Sequence, residues 1–217
     1  MFSFWTELSS GLRASVLITT ALAIVFVIVG ARVSKLKTSD APGGITLIFV
    51  MIVEFINENQ REYFSKYWRV FTPLLFTIFI YLAFANTAAL WGLSAPLSNL
   101  NVALSFSLFA FGTIQISALI IKKPWGRMKD LMDPNPAFLP LNVIGEISTP
   151  FAMGLRLFGN LLSGSIIGII VYGLTSWAGI IFGAFLLHPI FDIFFGAIQA
   201  YVYFMLFSIF LSMAVED

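Results

Sequence analysis

The residue whose type and place most demand an explanation is Arg156. It stands alone in a long apolar run, with no other Lys, Arg, Asp or Glu between Ile147 and Phe191. An arginine guanidinium keeps its charge in proteins. At the centre of a membrane helix it costs about 2.5 to 3.5 kcal/mol on insertion scales. It must therefore face protein, water or a carboxylate. At 100° per residue, Thr149, Met153, Arg156, Asn160 and Ser163 form one stripe, with Glu146 at its edge and Ser165 on the opposite face. In the next apolar segment His188, Asp192, Gly196, Gln199 and Tyr203 share a second stripe. Two facing polar stripes, one carrying a fixed positive charge, suit the lining of a route for protons or ions. The plainer alternatives are an ion pair of Arg156 with Glu146 or Asp192, and a second stripe of ordinary hydrogen-bonded helix contacts.

Other chemistry finds little support. The sequence has no Cys, so thiolate sites and disulfides are excluded. His188 is the single histidine; it stands four residues from Asp192, as a metal pair would, but no third ligand is evident. No phosphate-binding GxxxxGK[ST], no HExxH and no GxSxG occurs. No metal and no cofactor are expected.

The elements that must position these residues follow from composition. Of 217 residues, 59% are hydrophobic and only 11% charged, against about 25% charged in soluble domains. A soluble enzyme and a disordered chain are both excluded. The formal net charge is +1, which argues against a nucleic-acid partner. The expected fold is an all-α polytopic membrane protein in a single integral domain, 1–217. Spans are expected at about 12–33, 71–90, 102–121, 142–177 and 178–214, because about 20 apolar residues cross a bilayer. The segment 45–64 is apolar only up to Phe55 and then charged, and is expected as an amphipathic helix lying in the interface. The N-terminus reads as a retained span rather than a cleavable signal. The last two segments are long for a hydrocarbon core of about 30 Å and are expected to tilt strongly, with a tight turn between them near Ser176–Gly179. Gly159 with Ser163, Gly164 with Gly168, Gly179 with Gly183, and Gly196 with Ala200 have the spacing of close helix packing.

Basic residues set the orientation. Arg32, Lys35, Lys37, Arg61, Lys66, Arg69, Lys122, Lys123, Arg127 and Lys129 fall on one side if spans alternate, which is ten of the 12 Lys and Arg. The N-terminus is expected outside and the C-terminus inside.

The segment PFAMGLRLFGNLLSG, Pro150 to Gly164, resembles the signature of subunit a of F-type ATP synthases. IQAYVYFMLFSIFLSMA, Ile198 to Ala214, resembles that family's final helix, and NLNVALSFSLFAF, Asn99 to Phe111, the start of a middle helix. The order of elements agrees, and the resemblance covers nearly the whole chain. The form is similar to bacterial members, because mitochondrial ones usually differ just after the arginine. The resemblance implies that Arg156 is the arginine facing the carboxylate of the rotating c-ring, with Asn160 and Gln199 as the polar residues near it. Ser165 stands where many bacterial members have Glu and mitochondrial ones often have His. Asp192 stands where many bacterial members have His and others an acid. An acid moved from the fourth span to the fifth would preserve an outer half-channel, with His188 as a peripheral member. Glu146 matches an inner-side position where some members carry an acid.

The implied function is that of a stator subunit giving H+ or Na+ two offset half-channels to and from the c-ring. Implied partners are the c-ring, the peripheral stalk b subunits and the lipid bilayer of a bacterial plasma membrane. No nucleotide is expected to bind this chain. The competing readings are a secondary transporter or ion channel, which would show inverted repeats, and a lipid-modifying membrane enzyme, which would show a convergent acid cluster or metal motif. Neither signature is present in the sequence.

Overall fold

The computed structural model describes residues 9–35, 43–133, 135–182 and 189–216. His188 and the segment 183–188 lie outside them. Six α-helices follow one another: α1 (Ser10–Val33), α2 (Ile45–Tyr63), α3 (Trp68–Asn86), α4 (Leu100–Met132), α5 (Leu139–Phe182) and α6 (Gly196–Val215). A π-helical turn, Pro189–Phe195, leads into α6, and short 3-10 turns precede α4 and α5. No strand occurs among the described residues. Five of the helices are long and apolar enough to cross a membrane, all but α2.

Two boundaries differ from the sequence reading. The stretch after Ile121, expected as a loop, stays helical to Met132. Only Lys123 breaks it, with φ 62° and ψ 160°. The residue before a proline is pushed out of the α region, and Pro124 then restarts the helix where its missing N–H costs nothing. The turn expected at Ser176–Gly179 lies inside α5, which runs on to Phe182. At 44 residues, α5 is roughly 66 Å long at 1.5 Å per residue, about twice the hydrocarbon core. Tight turns in lipid usually need a breaker; Ser176 and Gly179 alone do not stop a helix whose backbone has no water to bond instead.

Packing is close where side chains are small, because lipid gives helices no hydrophobic reason to associate. On α4, Ala103, Ser107, Ala110, Ile114 and Ala118 form a buried seam. It meets Met153, Leu157 and Leu161 of α5. A Cβ at Gly154 would sit 2.8 Å from Ser107 Cβ, and the Ser107 hydroxyl donates to the Pro150 carbonyl. Helix α6 packs on α3 and α4 and touches α5 only lightly. Its buried face carries Ala200, Tyr203, Phe204, Phe207 and Leu211. The Asn86 amide donates to the Gly196 carbonyl over 3.1 Å, and the buried Gln60 of α2 donates to Ser208 Oγ over 2.9 Å. Each such bond contributes about 0.6 kcal/mol on average in a membrane protein.

Glu216 ties the C-terminus to the loop between α2 and α3, accepting the Lys66 N–H over 3.1 Å. Burial pushes this carboxyl up, but the amides of Ser65, Lys66 and Tyr67 and the Ser65 hydroxyl outweigh it and hold it below its usual value.

Candidate ion-pathway site

Arg156 sits in the exposed part of α5 and points away from the chain's own core. The helix is held by the opposite edge, where Pro150, Met153, Gly154, Leu157 and Leu161 are buried against α4. Among the described residues no hydrogen bond or ion pair reaches Arg156. The structural pairing with Glu146 or Asp192 is therefore not the arrangement found. Ser163 and Leu155 are exposed beside it, and Asn160, one turn on, is half-buried. The Asn160 Nδ2 is buried without a hydrogen-bond partner. Ser165 is exposed and donates to the Leu162 carbonyl of its own helix over 2.9 Å.

Glu146 has a different cation. Its Oε1 accepts from Arg127 Nη2 at 2.6 Å, and its Oε2 from Gln115 Nε2 at 2.8 Å. Arg127 lies on the part of α4 that restarts at Pro124, so the break at Lys123 helps aim it back at α5. An open cleft of about 420 Å³ adjoins the pair, lined by Asn142, Thr149, Pro150 and Met213 with Arg127 and Glu146 themselves. Sequence reasoning missed Arg127 by counting it as a loop charge and missed Gln115 altogether. A lone glutamine in the apolar run Ile114–Ile121 was the available signal.

A double-mutant cycle tests this pair. Arg127→Gln is expected to destabilise the purified protein by about 1–3 kcal/mol, because it strips a partly buried carboxylate of its charged donor. In Arg127→Gln/Glu146→Gln most of that loss should return. Additive losses, measured by thermal unfolding in detergent, would show that the two side chains are not coupled.

Three residues of the second stripe do not face the first. Gly196, Gln199 and Tyr203 are buried, because α6 turns that face toward α3 and α4. Tyr203 OH donates to the Phe106 carbonyl over 2.7 Å, and Gly196 abuts Asn86, whose Cβ would be 3.2 Å from an added Cβ. For these two residues the plain helix-contact reading is the correct one. Asp192 is half-buried in the π-helical turn. A π turn widens the helix and often marks a functional position. Small-residue packing is also redistributed: nothing lies within 4 Å of a Cβ built at Gly159, and Ser163 is exposed. Among the described residues no group of three or more His, Asp or Glu could hold a metal.

The structure thus joins Glu146 to Arg127 and Gln115, leaves Arg156 presented outward beside Asn160, and places Gln199 on a helix that barely touches α5, with Asp192 in the π-helical turn before it. The family model described as ATP synthase A chain matches residues 14–212. The matched stretch contains every residue of this site.

Proposed function

Because the chain belongs to the ATP synthase A chain family, we propose that it is the stator half of an ion route whose other half is a rotating ring of c subunits. Family membership makes it subunit a of the F-type ATP synthase membrane sector, a multi-pass membrane subunit engaged in ion transport. The observation that carries the finer reading is the outward position of Arg156. An arginine exposed on a membrane-spanning helix, with no partner in its own described chain, needs a counter-charge from a neighbour. A ring carboxylate supplies it. In lipid that carboxylate prefers its protonated form, and a fixed cation opposite favours the ionised one. Each ring site then gives up its ion as it passes Arg156, and the same charge separates two half-channels.

The cleft at Glu146 and Arg127 supports an inner route, and Asp192 in its π turn an outer one. Asn160 and Gln199 add polar groups near the arginine, with Ser165 and His188 more peripheral. The coupling ion is H+ or Na+. The peripheral stalk b subunits hold the chain against the turning ring, and ATP chemistry takes place elsewhere in the complex. The N-terminus lies outside and the C-terminus in the cytoplasm of a bacterial cell.

The absence of native cysteine makes single-cysteine experiments clean. A cysteine at Ser163, on the exposed face of Arg156, should cross-link to the ring's outer helix. One at Leu157, which is fully buried, should not. A cysteine at Gly126 should react with an impermeant reagent only from the cytoplasmic side. Ring cross-links from Leu157 but not Ser163 would refute the proposed face, and labelling of position 126 from outside would refute the orientation.

Asp192→Asn should slow ion-driven ATP synthesis several-fold in an assembled complex, less than the roughly 10²–10⁴-fold contributed by a sole proton-transfer group, because neighbours or water stand in. A normal rate in vesicles with full subunit content would reduce Asp192 to a structural role.

A further inference from the structure

A groove of about 520 Å³ runs between α1, α2 and α3 and shares no lining residue with the Glu146 cleft. Its floor is aromatic. Phe26 of α1 meets Phe49 of α2 at 6.1 Å and Phe76 of α3 at 5.5 Å between ring centroids, both edge-on. Phe26 stands seven residues before the end of α1, about 10 Å along its axis. The first half of α2 therefore reaches some two turns back along a membrane-spanning helix, deeper than a helix lying flat in the interface. The other end of the groove is charged. Glu54, Glu58 and Arg61 follow at spacings of four and three on α2, so they share one face, and all three are exposed. The Arg61 guanidinium lies 4.6 Å over the Trp68 ring. Trp68 opens α3, and tryptophan and arginine at a span end mark headgroup level. The groove thus has an apolar, ring-floored deep end and a shallow end bearing two carboxylates and one guanidinium.

We propose that this groove binds a zwitterionic aminophospholipid, with an acyl chain over Phe26, Phe49 and Phe76, the ammonium at Glu54 and Glu58, and the phosphate at Arg61. Its size falls in the ligand range of about 300–1,000 Å³. The charge pattern selects the headgroup. A lipid with a bare anionic head would satisfy Arg61 but meet two like charges in a region of reduced dielectric. A primary ammonium offers three donors to the two carboxylates, and its own phosphate sits within reach of Arg61's planar fork. Neither Glu54 nor Glu58 takes part in an ion pair or hydrogen bond among the described residues, so both remain available to a ligand.

The test uses the intact synthase complex in vesicles of equal phosphatidylethanolamine and phosphatidylglycerol. Either lipid carries a photoactivatable acyl chain, and adducts are mapped by mass spectrometry to residues 26–33 and 49–58. Ile116, Leu119 and Ile120, exposed on α4, serve as a control for unselective lipid contact. Wild type should favour the ethanolamine probe at the groove by about fivefold, the size of one interfacial ion contact of about 1 kcal/mol. The control surface should show no preference. Glu54→Gln/Glu58→Gln should bring the groove ratio to about one while ATP synthesis stays normal. Arg61→Gln should lower labelling by both probes. Equal labelling in wild type would overturn the proposal, as would a preference that survives the double substitution. So would adducts on another subunit in place of lipid adducts, because a partner helix would then fill the groove.

Discussion

Arg156→Ala will abolish coupled ATP synthesis and ATP-driven ion pumping in a complex that still assembles. The expected loss is at least about 10²-fold, the cost of removing one preorganised electrostatic group from a low-dielectric site. Assembly should survive because the residues that hold α5 in place are on its other edge. Met153, Leu157 and Leu161 stay buried against α4 whatever stands at 156. No hydrogen bond or ion pair within the described chain is lost with the side chain. Removing the charge also relieves about 2.5 to 3.5 kcal/mol of insertion cost. Arg156→Lys keeps the charge but loses the planar five-donor fork, and should be severely impaired as well. Passive ion leak should rise in the alanine variant, because nothing then separates the two half-channels. The measurement is synthesis in vesicles under an imposed ion gradient, with complex content checked by subunit stoichiometry. Near-normal synthesis in an assembled Arg156→Ala complex would refute the mechanism.

Gly154→Leu will have the opposite profile: no complex to assay. A single Cβ at this position would lie 2.8 Å from Ser107 Cβ and 3.1 Å from the Ala103 carbonyl oxygen. The first distance is one that real Cβ atoms essentially never show, and the second involves backbone that cannot swing aside. Helices α4 and α5 would have to separate along the seam of Ala103, Ser107 and Ala110, breaking the Ser107 bond to the Pro150 carbonyl. Overpacking of one or two methyl groups costs about 1–3 kcal/mol, and the lost contacts along the seam add to it. Gly154→Ala should therefore be clearly destabilising, and Gly154→Leu should leave little folded chain. Gly159→Ala is the matched control, since a Cβ there meets nothing within 4 Å. Yield and thermal stability in detergent decide the matter. If Gly154→Leu accumulates and assembles like Gly159→Ala, the close approach of the two helices is not what holds this part of the fold.

The two substitutions divide α5 between two tasks. One edge carries a glycine because a backbone comes close; the other carries an arginine that no hydrogen bond or ion pair reaches among the described residues. The sequence places both residues in the same apolar run, yet gives no reason to set them apart.

What the sequence determined by itself was the set of membrane-spanning helices, the charge set within one of them and the family signature around it. These are local properties. Hydropathy summed over about 20 residues is enough to specify a span, and an arginine in such a run is conspicuous wherever the helix points. Which way the helix points was decided only by the tertiary structure. A membrane helix that is apolar all round has no moment to show which face packs, so the stripe from Asp192 to Tyr203 was read as facing α5 when Gly196, Gln199 and Tyr203 turn toward α3 and α4. The same limit hid the partner of Glu146. Arg127 is 19 positions away, beyond a proline that made its segment look like a loop, and only the restart of α4 after Lys123 brings its guanidinium within 2.6 Å of the carboxylate. Gly154 was one small residue among many until Ser107 was found against it. Periodicity reports on residues a few positions apart along one helix, whereas ion pairs and close approaches are made between helices. They are fixed by packing to within a few tenths of an ångström, which no pattern along one segment of sequence encodes.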